Sequence, residues 1–412
     1  MKVSILTLGC RVNQSESSVI EESLKDNGVT IVDLNDNPDY CIVNTCTVTR
    51  KSDYNSRQII RKAARKGAKV IVTGCYSQLH EQEVTALPAV FRRIDINNKF
   101  DIISLLTEVE TKTSFSVSGR ARPYLKVQDG CNFSCSYCTV PLARGKSRSV
   151  PEDLLVERVN SIVKKGFSEI VLTGVHLGTY GQDFPSPISI AGLVKTLLSQ
   201  TSIHRIRLSS LEINEISDEL LELLKEQRLC RNLHIPLQSG SEKILRLMRR
   251  GYTPSYFMKK IEAIAAKLGE IGLGTDVIVG FPGEGPDEFK DTRALIETLP
   301  FTYLHVFPYS PRPNTDALVM PSRPQGSVVR KRTELLRELG NEKKTMYMMK
   351  YIGSNLEIII DEGSCGDSVF GTSSNYLKIS VPAYPHQRGS IEIAQPLGIR
   401  KDHLEGVLVK DC

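Results

Sequence analysis

The sequence predicts an α/β protein in three parts: an N-terminal Rossmann-like parallel sheet, a partial (β/α)6 barrel, and a small C-terminal all-β barrel. Three observations predict it. Short β-branched runs alternate with helical patterns from residue 1 to about 118. From about residue 122 the alternation restarts and repeats through six strands. Beyond about residue 350 the helical period is gone, and short strands between turn residues replace it. At 412 residues the chain holds about two to four domains of roughly 100–200 residues each. The expected boundaries are 1–118, 119–345 and 346–412.

Composition narrows the classes. Hydrophobic residues make up 40% and charged residues 24%, which excludes disordered and collagen-like chains. The apolar stretch before Arg11 is too short for a signal h-region or a membrane span, so a cytoplasmic protein with no membrane partner is expected. In a reducing cytoplasm, 10 cysteines point to metal or catalytic roles and away from a disulfide framework. The net charge of +6 leans toward a polyanionic partner.

In chain order, VSILTL, CIVNT and KVIVTG read as buried parallel strands. Cys10, Cys46 and Cys75 each follow the carboxyl end of one of these strands. Parallel sheets gather ligands beyond that edge, so three cysteines far apart in sequence converge there. Cys41 lies inside its strand and reads as a buried structural thiol. The middle region continues with YLKVQ, EIVLTG, RIRLSS, LHIPLQ, GTDVIVG and YLHVF as strands with helices between them. A barrel of this kind carries its active site on the carboxyl strand ends. A basic helix from about Gln325 to Lys350 follows PYSPRPNT, and then LEIIID, YLKISV and SIEIAQ read as strands of the small barrel.

The chemistry concentrates in DGCNFSCSYC, which sets Cys131, Cys135 and Cys138 in a C-x3-C-x2-C pattern directly after the first barrel strand. Three close thiolates hold three corners of a four-iron cube and leave the fourth iron open. Structural zinc wants four protein ligands, and no fourth cysteine or histidine lies near this loop. Cys230, Cys365 and Cys412 fit no such pattern and read as plain thiols.

This loop, with aromatic Tyr137 just before the third cysteine, resembles the cluster motif of the radical S-adenosylmethionine (SAM) superfamily. The resemblance implies that the open iron chelates SAM and that one electron cleaves it to methionine and a 5′-deoxyadenosyl radical. TLGCRVN, NTC, TGC, the Cys131–Cys138 block, TGVHLGTYG, LQSGS, VIVGFPGE and PYSPRPNT together are similar to the methylthiotransferases in order and spacing over nearly the whole chain. That family implies two [4Fe–4S] clusters, an auxiliary one on Cys10, Cys46 and Cys75 and a SAM-coordinating one on Cys131, Cys135 and Cys138. It also implies a C-terminal TRAM domain that binds RNA, the anticodon arm of tRNA as partner, and an electron donor of the flavodoxin or ferredoxin kind.

GCRVNQ at Cys10 looks like the branch acting on threonylcarbamoyladenosine-37 of tRNA. The alternatives are the same chemistry on isopentenyladenosine-37 or on a ribosomal-protein aspartate. An RNA-binding iron–sulfur sensor without catalysis is the alternative of a different class. SAM or substrate contacts are expected at Tyr137, Gly174, Ser209, Glu212, Gln238 and Asp276. Arg144, Lys146 and Arg148 after the cluster loop, and Arg388, Arg400 and Lys401 in the tail, are expected to face RNA phosphates or solvent. Asn314 stands where the family's R-P-G-T motif has glycine, and asparagine is expected to take the same left-handed backbone.

Overall fold

A computed structural model describes residues 1–88, 90–107, 120–365, 368–383 and 388–409, with the side chains of 362–365 left out. The N-terminal β-branched runs pair in parallel, in the order Thr30–Ile31, Lys2–Thr7, Tyr40–Thr45, Lys69–Gly74, Val90–Arg93. Each central strand is apolar along its length because helices cover the sheet, with Ile42, Val43, Ile71 and Val72 fully buried. Cys41 is also fully buried, packed with Val43, Ile60 and Val70. Burial pushes its thiol up to about 12.

All six expected barrel strands form: Tyr124–Lys126, Glu169–Thr173, Arg205–Leu208, Asn232–His234, Gly272–Val279 and Tyr303–Pro308. They run parallel in two groups of three, and a bridge from Ile206 to Leu229 links the groups. Alternate residues point to opposite faces. Leu273, Val277 and Val279 thus join the helical shell, while Gly274 and Asp276 lie on the other face of their strand. The C-terminal strands close a five-stranded barrel in the order Leu356–Cys365, Ser368–Ser373, Lys378–Pro382, His403–Leu408, Ile391–Arg400. Cys412 lies outside the described residues, and so does the side chain of Cys365.

The basic helix spans Gly326–Met349. Several of its cations anchor it to the barrel: Arg332 pairs with Glu284 at 2.6 Å, and buried Lys343 donates to the carbonyls of Glu297 and Leu299. Asn314 has φ +59°, the left-handed geometry expected of it. Among the described residues no helix is long and apolar enough to cross a membrane.

Arginines also dock the small barrel. Glu169, fully buried, takes Arg205 at 2.8 Å and Arg207 at 2.8 Å. Their remaining N–H groups donate to the carbonyls of Thr372, Ser373 and Ser374 in the small barrel. Burial alone would raise the Glu169 carboxyl, but Arg207, Arg205 and Arg122 outweigh it and hold it at about 2.

Candidate active site

Cys10, Cys46 and Cys75 stand where the sheet topology puts them. Cys10 immediately precedes the Arg11–Asp26 helix, Cys46 follows the Tyr40–Thr45 strand, and Cys75 is the first residue of the short Cys75–Leu79 helix after Lys69–Gly74. The thiols are close enough that ionised Cys10 and Cys75 disfavour ionisation of Cys46, and ionised Cys10 that of Cys75. Burial, with that repulsion, pushes Cys46 up to about 11 and raises Cys75. Iron held here by Cys10, Cys46 and Cys75 would supply the positive charge that favours the thiolate forms. Two glycines make the approach possible. Gly9 has φ +95°, and a Cβ there would lie 2.6 Å from Cys46 Sγ; Gly74 has φ +97°, and a Cβ there would lie 2.4 Å from the Thr45 carbonyl oxygen.

Cys131, Cys135 and Cys138 share one loop, each only partly buried. His176 Nδ1 lies 3.4 Å from Cys131 Sγ, and its Nε2 rests on the Glu215 carboxylate. Arg250 donates toward Cys135 Sγ at 3.5 Å and pairs with Glu212. Backbone N–H groups of Phe133 and Val140 point to Cys131 and Cys138 at 3.4 Å each. Such donors suit thiolates that carry a cluster.

One buried ionic network runs from Cys75 in the N-terminal sheet domain to Asp129, two residues before the cluster loop. Arg144 Nε reaches Cys75 Sγ at 3.3 Å, and its Nη1 pairs with Glu16 at 3.0 Å and Asp129 at 2.7 Å. Glu16 is also met by Lys126 at 2.7 Å and by Lys99. Burial would raise the Glu16 carboxyl, but Arg144, Lys126 and Lys99 hold it well below the usual carboxylate range. Arg144 is 2% exposed, so it does not face RNA phosphates as expected. It spans the N-terminal sheet domain and the barrel instead. Lys146 and Arg148 are exposed.

The expected SAM contacts divide. Glu212 lines a cavity of about 220 Å³ beside the cluster loop, with Asn132, Phe133 and Arg250. Ser209 is buried after its barrel strand, and its Oγ has no hydrogen-bond partner among the described residues. Tyr137 packs edge-on against Phe281 in an apolar cluster with Ile244 and Met248. A Cβ at Gly174 would lie 2.7 Å from Gln128 Oε1, so the close approach this glycine permits is to a side chain of the protein. Gln128 itself ties the His176 N–H, Ser147 Oγ and the Gly130 carbonyl together. Gln238 takes φ +63° and pairs its backbone with Asp276 and Ile278. Asp276 does not stand alone: His234 Nε2 and His305 Nδ1 lie 2.8 and 3.1 Å from its Oδ1. Burial would raise this carboxyl, but the two histidines hold it far below the carboxylate range. Sequence reasoning missed His234, His305, Gln128 and Arg250. The strand period was the available signal for His234, which sits two residues from Asn232 on the face shared with Asp276.

A parallel partial barrel carrying a three-cysteine loop, with hydrogen-bond donors aimed at the sulfurs, defines a radical SAM enzyme. The model of the Radical SAM superfamily matches residues 125–296, and that of Uncharacterized protein family UPF0004 matches residues 2–94. The chain is 36% identical over 384 residues to the threonylcarbamoyladenosine tRNA methylthiotransferase MtaB of Aquifex aeolicus, covering 88% of this chain and 93% of that one. It is 34% identical to the Bacillus subtilis protein of the same name, covering 99% of this chain and 96% of that one. The chain belongs to the methylthiotransferase family. Its fold also resembles the radical SAM methyltransferase TsrM of Kitasatospora setae, at a TM-score of 0.57 and 14% identity over 77% of each chain. SAM and two [4Fe–4S] clusters are the cofactors of this enzyme.

Proposed function

We propose that this enzyme places a methylthio group on carbon 2 of N6-threonylcarbamoyladenosine-37 in tRNA, with the anticodon arm as its partner and a flavodoxin or ferredoxin as electron donor in the cytoplasm. The observation that carries the reading is the pair of cysteine triads, one at the carboxyl edge of the N-terminal sheet and one on the loop after the first barrel strand, within a chain similar over nearly its full length to enzymes of that name. In this reading Cys131, Cys135 and Cys138 would hold the SAM-coordinating cluster and Cys10, Cys46 and Cys75 the auxiliary one. Residues 1–118, 119–345 and 346–412 are its three domains. When bound, the clusters and SAM supply radical chemistry, which an aromatic C–H bond demands because it offers no acidic proton to a general base.

The protein's own residues position and shield. Arg250 and His176 fix two of the loop sulfurs, Glu212 and Ser209 offer polar contacts to SAM, and the Arg144 network ties the N-terminal sheet domain to the barrel. A loop nucleotide reaches such a cleft more readily than a base in a duplex, because its base is not held in a continuous stack. Nucleoside analysis of tRNA from a deletion strain tests the substrate. Loss of the 2-methylthio-threonylcarbamoyl nucleoside, with its isopentenyl counterpart intact, is the expected result. The reverse pattern would overturn it.

A further inference from the structure

A cavity of about 640 Å³ opens between the N-terminal helix, the barrel lumen and the small barrel. Its size falls in the roughly 300–1,000 Å³ range of small-molecule sites. Among the described residues six cationic side chains line it and one carboxylate, Asp361, which Arg122 already engages at 2.8 Å. Arg207 is likewise committed, to Glu169. Arg11 and Arg120 differ. Among the described residues neither forms an ion pair, and both lie by the ring of Tyr124, with guanidinium carbons 5.8 and 4.9 Å from its centre.

Arg11 is held in place from the far side by the Tyr376 hydroxyl, which accepts from Nη2 at 3.3 Å. Tyr376 in turn packs against Tyr303, with ring centres 5.3 Å apart. The cavity therefore combines flat aromatic walls with two uncommitted, partly oriented guanidinium groups. That is the chemistry of a site for a planar polar group carrying a carboxylate, since the guanidinium fork matches the two carboxylate oxygens. Arg11 also follows Cys10 directly, which places the cavity's cationic end next to the auxiliary triad.

We propose that this cavity receives the N6 substituent of the substrate nucleoside and that Arg11, seconded by Arg120, binds its carboxylate. This rests on the threonylcarbamoyl reading, because a threonine joined through its amine keeps its carboxylate, whereas an isopentenyl group has no charge to offer. Arg11 is then a specificity-determining residue. It selects the acidic modification over an apolar one of similar reach, because an unpaired guanidinium facing an apolar group loses its hydration without a partner.

The test uses reconstituted enzyme and three anticodon stem-loop RNAs that carry, at the same adenosine, the threonylcarbamoyl group, its methyl ester, or an isopentenyl group. KM and kcat are read separately, and direct RNA binding is measured without reductant. For the unaltered enzyme, esterification should raise KM by roughly 10- to 100-fold, the range for a charge-assisted hydrogen-bonded pair. Arg11→Gln should raise KM for the acid by a similar factor and leave the ester unchanged, with Arg11→Lys restoring part of the loss. Equal KM for acid and ester in the unaltered enzyme, or effects of Arg11→Gln that are the same on both RNAs, would overturn the proposal. Iron content checks each variant. If Arg11→Gln loses iron, the acid–ester comparison in the unaltered enzyme and in Arg120→Gln decides the matter. Turnover of the isopentenyl RNA alone would overturn the substrate reading as well. Turnover of acid and ester alike would leave that reading standing and remove only the role of Arg11.

Discussion

The two cysteine triads reach similar ends by opposite routes. Cys131, Cys135 and Cys138 lie within eight residues on one loop, partly exposed, and local chain geometry brings them together. Cys10, Cys46 and Cys75 come from three separate turns of a parallel sheet, and only correct pairing of Lys2–Thr7, Tyr40–Thr45 and Lys69–Gly74 brings them within reach. The loop site depends on spacing and the sheet site on register. A change in local sequence threatens the first, and a change in backbone packing threatens the second.

The largest expected effect separates the two directly. Cys138→Ala should abolish reductive SAM cleavage, read as 5′-deoxyadenosine by chromatography, because the loop offers no replacement thiolate. Retained cleavage would mean that the loop does not hold the SAM cluster. Next, Gly9→Ala or Gly74→Ala should empty only the sheet site, since each forces a Cβ into Cys46 or Thr45 from a left-handed backbone. Iron should fall from about eight to about four per chain while SAM cleavage survives. A full iron complement in both variants would show that the sheet absorbs the strain.

A smaller effect probes what ties the N-terminal sheet domain to the barrel. Arg144→Met should cost about 3–5 kcal/mol in denaturant unfolding, the usual price of removing one partner from a buried ionic network. A loss below about 1 kcal/mol would place Arg144 among surface-like pairs. The smallest effect concerns the docking of the C-terminal barrel. Glu169 is held at about 2, below its ordinary 4.5, so the stability it confers is complete above pH 4.5 and lost as pH falls toward 2. Glu169→Gln should flatten the fall in stability across that window, by at most about 3 kcal/mol. Parallel pH profiles would assign the acid sensitivity elsewhere.

The same contrast explains what the sequence disclosed. All six barrel strands, the N-terminal sheet, the small closed barrel and both triads were legible, because strand period, turn residues and cysteine spacing are local signals. Partner choice among charges was not. Arg144 reads in sequence like its neighbours Lys146 and Arg148, yet it is buried against Glu16 and Asp129, 128 and 15 residues away. Arg332 and Lys343 likewise look like solvated cations of a basic helix until Glu284 and the Glu297 and Leu299 carbonyls appear. The pairing of Asp276 with His234 and His305 joins three strands, and only their register in that three-stranded parallel sheet creates it.

The central claim is that two clusters rest on two separate triads. Iron and sulfide analysis with Mössbauer spectroscopy on anaerobically reconstituted protein, comparing the unaltered chain with a Cys10/Cys46/Cys75 triple alanine variant, tests it most directly. A fall from about eight irons to about four, with the remaining signal that of one [4Fe–4S] cluster, is the predicted result. An unchanged iron count would contradict the account and leave the N-terminal cysteines as structural thiols.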